Sequence, residues 1–143
     1  MQRQRGLTLL ELLVVLAIIG VASAGIALAV RDGQHNQLEL EAQRLIAHLE
    51  AARMTSRTSG VTLLWHSTEE GYAIDQAPST SLRNERWLHR TTVATASTPQ
   101  VVLGPEPIIA PVSITLSQAT LASAGTQALR IGTDGLRPFQ VLP

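Results

Sequence analysis

The chain has 143 residues, no cysteine, and 11 arginines balanced by 11 acidic residues without a single lysine, for a formal net charge of zero. That length is one small domain. The lack of cysteine excludes a disulfide framework, a zinc–thiolate cluster and thiol chemistry. Balanced charge with one Phe, one Tyr and two Trp excludes a basic, aromatic-bearing nucleic-acid surface.

From the N-terminus, Leu7–Val30 is a run of 24 residues with one ionisable group, Glu11, and two hydroxyls, Thr8 and Ser23. As a helix it would be about 36 Å long, enough to cross a hydrocarbon core of about 30 Å. Arg3 and Arg5 just precede it, so the positive-inside rule leaves the short N-terminus in the cytoplasm and sends the rest across. An acid in such a helix costs roughly 2.5–3.5 kcal/mol at its centre and less near an end, so Glu11 calls for a compensating role. Two simple readings stand here. One is a secretory signal peptide, with Leu12–Ile19 as apolar region and Ala22-Ser23-Ala24 as the cleavage site. It implies a soluble periplasmic binding module or enzyme released after Ala24. The other is a plain single-pass anchor, which gives Glu11 no role.

Arg31–Asn36 is polar, the expected membrane exit, and Gly33 either bends the helix there or is tolerated at about 1 kcal/mol relative to Ala. From Gln37 the helical period resumes. Leu38, Ala42, Leu45, Ile46, Leu49 and Ala52 form one stripe, with Glu39, Gln43, Glu50 and Arg57 facing away. Glu41–Arg44 and Glu50–Arg53 are expected as favourable pairs three apart. Thr55–Ser59 weakens helix propensity and Gly60 suits the position just past the last turn. The expectation is a helix over 7–59, apolar all round over 7–30 and then amphipathic.

Residues 60–143 read as a β-rich head. Gly60–Trp65 and Gly71–Asp75 flank a polar turn at Ser67–Glu70, a predicted hairpin. Gln76–Asn84 is a predicted loop. Glu85–Val93, Pro99–Leu103, Val112–Leu116, Ala128–Gly132 and Phe139–Leu142 are the other strand candidates, and Thr120–Thr126 is a predicted loop. Pro105, Pro107 and Pro111 exclude a central strand between Gly104 and Pro111. The fold class expected is α+β: a long N-terminal helix, transmembrane in its first half, packed on an antiparallel sheet or sandwich.

Catalytic and metal signatures are missing from the sequence. His35, His48, His66 and His89 are dispersed, with no HExxH, and there is no nucleophile elbow, P-loop or dinucleotide fingerprint. Glu69-Glu70 and Asp75 lack the EF-hand spacing. The reading assigns no catalysis, no metal and no cofactor.

Basic residues followed by Gly6 and Leu7-Thr8-Leu9-Leu10-Glu11-Leu12-Leu13-Val14-Val15-Leu16-Ala17-Ile18-Ile19-Gly20 resemble the class III signal of type IV pilins and type II secretion pseudopilins. The resemblance implies cleavage between Gly6 and Leu7 by a prepilin peptidase, which removes the leader 1–6, and N-methylation of Leu7, where the family usually has Phe. The trimmed chain would carry nine arginines against 11 acids, near −2. It also implies that Glu11 serves subunit assembly, meeting the N-terminal amine of a neighbour within an apolar bundle. At about 4 Å and an effective dielectric near 20 such a pair attracts by several kcal/mol, against a large desolvation cost.

In the head, Arg44–Arg53, Ser59-Gly60, Gly71-Tyr72 and Ile131–Pro138 resemble the H-type minor pseudopilins (GspH) and the related FimT-like minor pilins. The function this implies is a minor pseudopilin of a type II protein secretion system. It would sit in the inner membrane with its head periplasmic and then join the pseudopilus near the tip. Implied partners are other major and minor pseudopilins, the prepilin peptidase/N-methyltransferase and the inner-membrane assembly platform. Secreted substrates or the secretin are implied at exposed loops such as 76–84 and 104–111. The alternative within this class is a FimT-like minor pilin of a type IV pilus serving adhesion, twitching or DNA uptake.

Overall fold

The computed structural model describes the backbone of residues 9–119 and 126–143, with their side chains except those of 26–35 and 81. Gly6, Leu7 and most of the predicted loop Thr120–Thr126 lie outside these residues.

Helix α1 (Leu9–Ser59, 51 residues) runs without a break through Gly33. Over Leu9–Val21 its large apolar side chains are exposed on every side of the cylinder: Leu10, Leu13, Leu16, Ile18 and Val21 alike. From Leu38 onward burial becomes one-sided. Leu38, Ala42, Leu45, Leu49 and Ala52 are fully buried and Ile46 packs at the margin, while Glu39, Gln43 and Arg57 face solvent. The helix ends where Gly60 adopts φ +70° and donates its N–H to Ser56 O at 2.9 Å, the left-handed cap that glycine alone takes without strain. The Ser56 hydroxyl donates to Val61 O at 2.7 Å and so turns the chain into the head.

Eight strands follow among the described residues, in two antiparallel four-stranded sheets of order β3-β2-β1-β5 and β4-β6-β7-β8. Strands β1 (Leu63–Ser67) and β2 (Gly71–Asp75) form the predicted hairpin, with Trp65 opposite Ile74 and Ser67 opposite Tyr72. The first strand begins three residues later than predicted, because the Gly60 cap and the Ser56–Val61 bond occupy Gly60–Thr62. A four-residue helix, α2 (Thr80–Arg83), interrupts the predicted loop 76–84.

The predicted strand Glu85–Val93 is two strands. β3 (Asn84–Arg86) edges the first sheet, and β4 (Thr92–Ala96) edges the second. Between them Trp87 turns into the core and its N–H donates to Glu70 O, while Thr92 N–H closes a turn onto His89 O. Burying the indole costs the strand its continuity. β5 (Val101–Leu103), β6 (Val112–Ala119), β7 (Thr126–Thr133) and β8 (Gln140–Leu142) complete the sheets. β6 and β7 pair in register from Val112↔Thr133 to Ala119↔Thr126. The proline-bearing segment 104–111 contains no strand.

The amphipathic half of α1 contacts β1 and β5 of one sheet and β6 and β7 of the other, so both sheets share one core. That core joins Leu45 and Leu49 to Leu63, Trp65, Ile74, Leu103, Ile114, Leu116 and Ile131. Each such side chain contributes about 1.5–3 kcal/mol on burial. This is the predicted α+β class: a long helix packed on an antiparallel β head.

Candidate functional site

Two regions bear on function: the exposed apolar first half of α1, and the polar clasps that hold its second half to the head. In the first, Glu11 lies in the opening turn of α1 among Leu9, Leu10, Leu12 and Leu13, themselves 57–83% exposed. An acid there is favourably placed for the positive end of the helix macrodipole. Ser23 turns its hydroxyl inward, donating to Ile19 O at 2.8 Å, so the stretch offers neighbours little polarity. Among the described residues no helix is long and apolar enough to cross a membrane. The predicted span Leu7–Val30 extends beyond them at its start, and side chains are described within it only over Leu9–Gly25.

The second region is built from helix residues spaced at three and four. Glu41 is buried and accepts the Leu88 N–H at 2.9 Å, fastening the turn between the two sheets to the helix. Burial pushes its carboxyl above the usual range, with the Leu88 N–H, Arg44 and His89 acting in opposition. Arg44 was expected to pair with Glu41. Instead it reaches across to the Glu85 carboxylate and donates to Arg86 O at 3.0 Å, since those acceptors lie on the β3 edge in front of its fork. The second expected pair is present, with Arg53 3.3 Å from Glu50. Arg53 is itself buried and extends to Arg137 O, and Glu50 also accepts the Phe139 N–H at 2.9 Å. The two carboxylates therefore hold backbone of the head at opposite ends of the amphipathic stripe.

Between these clasps Tyr72 is buried against three rings: His48 edge-on at 5.8 Å, Trp65 at 6.1 Å and Trp87 at 5.0 Å. Burial raises the Tyr72 phenol well beyond its ordinary range. His48 is thus a packing residue on the helix, half-buried. Asp134 caps the turn after β7, accepting from Leu136 N and Arg137 N, and these bonds hold its carboxyl below the usual range. Gly135 takes φ +92°, where an added Cβ would meet Ile109 O. Asp134-Gly135 therefore opens a six-residue connection (134–139), longer than a tight hairpin turn. No group of three or more metal-ligating side chains occurs among the described residues. The contacts that reach from the helix to the head were missed in the sequence because their partners, the Glu85 carboxylate and backbone groups, lie 41 to 89 positions away.

The N-terminal stretch has a counterpart among known sequences. Residues 1–27 match the prokaryotic N-terminal methylation motif. The match takes in Gly6, Leu7 and Glu11. The fold has counterparts as well. Two crystal structures of the type IV minor pilin FimU from Pseudomonas aeruginosa (strain PAO1) superpose on it. The first has a TM-score of 0.55 over 77% of this chain and 91% of that one, at 18% identity. The second has a TM-score of 0.51 over 73% and 92%, also at 18% identity. At that identity the likeness is one of fold: the architecture is type IV pilin-like. No curated protein matches the sequence.

Proposed function

We propose that this chain is a minor subunit of a type IV pilin-like filament. It is processed between Gly6 and Leu7, methylated at Leu7, anchored in the inner membrane by the apolar first half of α1 and displayed in the periplasm by its head. The observation that carries the reading is the conjunction of the methylation motif over 1–27 with a pilin-like fold on the same helix. Glu11 is the assembly residue, its carboxylate meeting the N-terminal amine of a neighbouring subunit. The domain division that follows is a leader (1–6), a helix (7–59, membrane-embedded over 7–30) and a head (60–143).

The finer reading is a minor pseudopilin of the H type in a type II secretion system, supported by the patterns at Arg44–Arg53 and Ile131–Pro138. Its partners are the other pseudopilins, the prepilin peptidase, the inner-membrane platform and, at the head, secreted substrates or the secretin. A second reading, a type IV pilus minor pilin, is supported by the fold shared with FimU. Neither reading involves a catalytic step on this chain.

The test is the N-terminal mass of the protein from membranes with and without the prepilin peptidase. A methylated Leu7 terminus that depends on the peptidase is expected, and Glu11→Ala should leave cleavage intact but lower recovery in the filament. A free Gly25 terminus would overturn the class. Deleting the gene then separates the systems: lost exoprotein export marks the secretion pseudopilus, lost twitching or DNA uptake the pilus.

A further inference from the structure

The head has a far end and a near end along α1. At the far end Glu50 accepts Phe139 N–H and Arg53 donates to Arg137 O. At the end nearest the apolar half, Glu41 accepts Leu88 N–H and Arg44 meets the Glu85 carboxylate. This near end carries a cleft of about 680 Å³. It opens between the β1–β2 turn, which supplies Glu69 and Glu70, and the connection from β3 to β4, which supplies Arg86, Trp87, Leu88 and Arg90. Trp87 N–H donates to Glu70 O at 3.0 Å, so the two walls are tied to each other and, through Leu88, to the helix.

The lining is charged but balanced, two carboxylates against two guanidiniums. Glu70 and Arg86 form an exposed pair at 3.4 Å, which solvent leaves weak and easily exchanged. Glu69 and Arg90 form no ion pair among the described residues. Leu88 is exposed beside them, while Trp87 is buried. The volume is that of a small-molecule site. Balanced charge gives no field to gather a simple anion or cation. It suits a ligand carrying both signs, since guanidiniums hydrogen-bond phosphate and carboxylates accept from a primary ammonium.

The position of the cleft supplies a source for such a ligand. α1 is unbroken, and Glu41 lies about 16 Å of helix beyond Val30. On an upright helix the cleft would clear a headgroup layer about 5–8 Å deep. A run of about 36 Å is too long for a core of about 30 Å, and a lean of about 34° fits it. On the lower side of that lean, a cleft one helix diameter, about 10 Å, off the axis comes to about 8 Å above the hydrocarbon. That is the outer edge of the headgroups.

We propose that this cleft binds the headgroup of a zwitterionic phospholipid bearing a primary ammonium, of the phosphatidylethanolamine class. Arg86 and Arg90 take the phosphate, Glu69 and Glu70 take the ammonium, and Leu88 adds an apolar contact. The bond fixes the lean and rotation of the anchored helix. It rests on the membrane-anchored reading given above.

The chain has no cysteine, so Leu88→Cys carries a single environment-sensitive fluorophore, and Ile108→Cys carries the control label. Ile108 is exposed at the far end, where Arg57 donates to Pro107 O. Full chains are reconstituted in phosphatidylcholine nanodiscs with phosphatidylethanolamine or phosphatidylglycerol added. The label at 88 should shift to the blue, saturably, with phosphatidylethanolamine only. A quaternary ammonium donates no hydrogen bond, and phosphatidylglycerol has no cation. The label at 108 should not respond. Arg90→Gln and Glu69→Gln, both on the surface, should leave the melting midpoint unchanged and each require about tenfold more phosphatidylethanolamine for the same shift. The proposal is overturned by equal shifts in all three lipids, by indifference to both substitutions, or by free phosphoethanolamine acting at the lipid's bulk concentration. Chains that fail to float with the discs overturn the anchored reading together with this one. Floating chains with a silent label at 88 overturn this one alone.

Discussion

Glu41→Gln tests whether a carboxylate at the helix–head junction strains the folded state at neutral pH. Glu41 is 1% exposed, one oxygen holds the Leu88 N–H at 2.9 Å, and Arg44 is committed to Glu85 and Arg86 O. Because burial raises its pKa above 4.5, the folded protein binds this proton more tightly than the unfolded chain does. The resulting stability is fully present below about pH 4.5 and is lost as pH rises through the raised value. Glutamine keeps a carbonyl for Leu88 N–H and cannot ionise. Exchanging a charge-assisted for a neutral hydrogen bond gives up about 1 kcal/mol. Removing a buried, incompletely paired carboxylate returns several kcal/mol of desolvation. The net expectation is a gain of about 1–2 kcal/mol at pH 7, or roughly 5–10 °C in midpoint for a head of this size. Circular-dichroism melts of the full chain in detergent, compared at acid and neutral pH, measure it. The gap should be wide at neutral pH and close on acidification. A Gln variant less stable at neutral pH, with the parent's pH dependence intact, would refute the reasoning. Glu41→Ala, which orphans Leu88 N–H, should fall below Glu41→Gln by about 1–3 kcal/mol at either pH.

Leu49→Ala, at the centre of the stripe shared by both sheets, should cost about 2–5 kcal/mol in denaturant titration. Gly135→Ala should destabilise the head more than Gly60→Ala. Both have positive φ, but an added Cβ meets Ile109 O at the first and open space at the second, where about 1 kcal/mol is expected in melts. Tyr72 is the single tyrosine, so its ultraviolet ionisation spectrum is unambiguous. Its raised pKa predicts no phenolate near pH 10 while the fold persists, then cooperative loss of structure as pH climbs, because the unfolded chain ionises first.

What was legible in the sequence was whatever repeats with a short period. Leu38, Ala42, Leu45, Leu49 and Ala52 announce a helix face by spacing alone, and Gly60 announces its end. β2 was read to its observed bounds because glycine and a polar residue bracket it. Glu85–Val93 was misread because Trp87 has the β propensity of a strand residue while tertiary packing uses it as a corner. Arg44 was given the wrong partner because the rule of three and four sees its own helix and not Glu85 on a strand. At the candidate site, Glu11 stood out as an acid in an apolar run. Glu41 did not, since its role depends on a backbone amide 47 positions away.

The continuity of α1 has a mechanical consequence. Both sheets are bolted to one shaft by the same stripe, so a pull on the N-terminus along the helix axis loads them in parallel. Failure would require that stripe to slide past two sheets at once, with Glu41 and Glu50 clasping at either end, rather than peel open strand by strand. Shear of a broad interface resists force better than unzipping, so a load on the helix would leave the head intact, as the filament role proposed above requires.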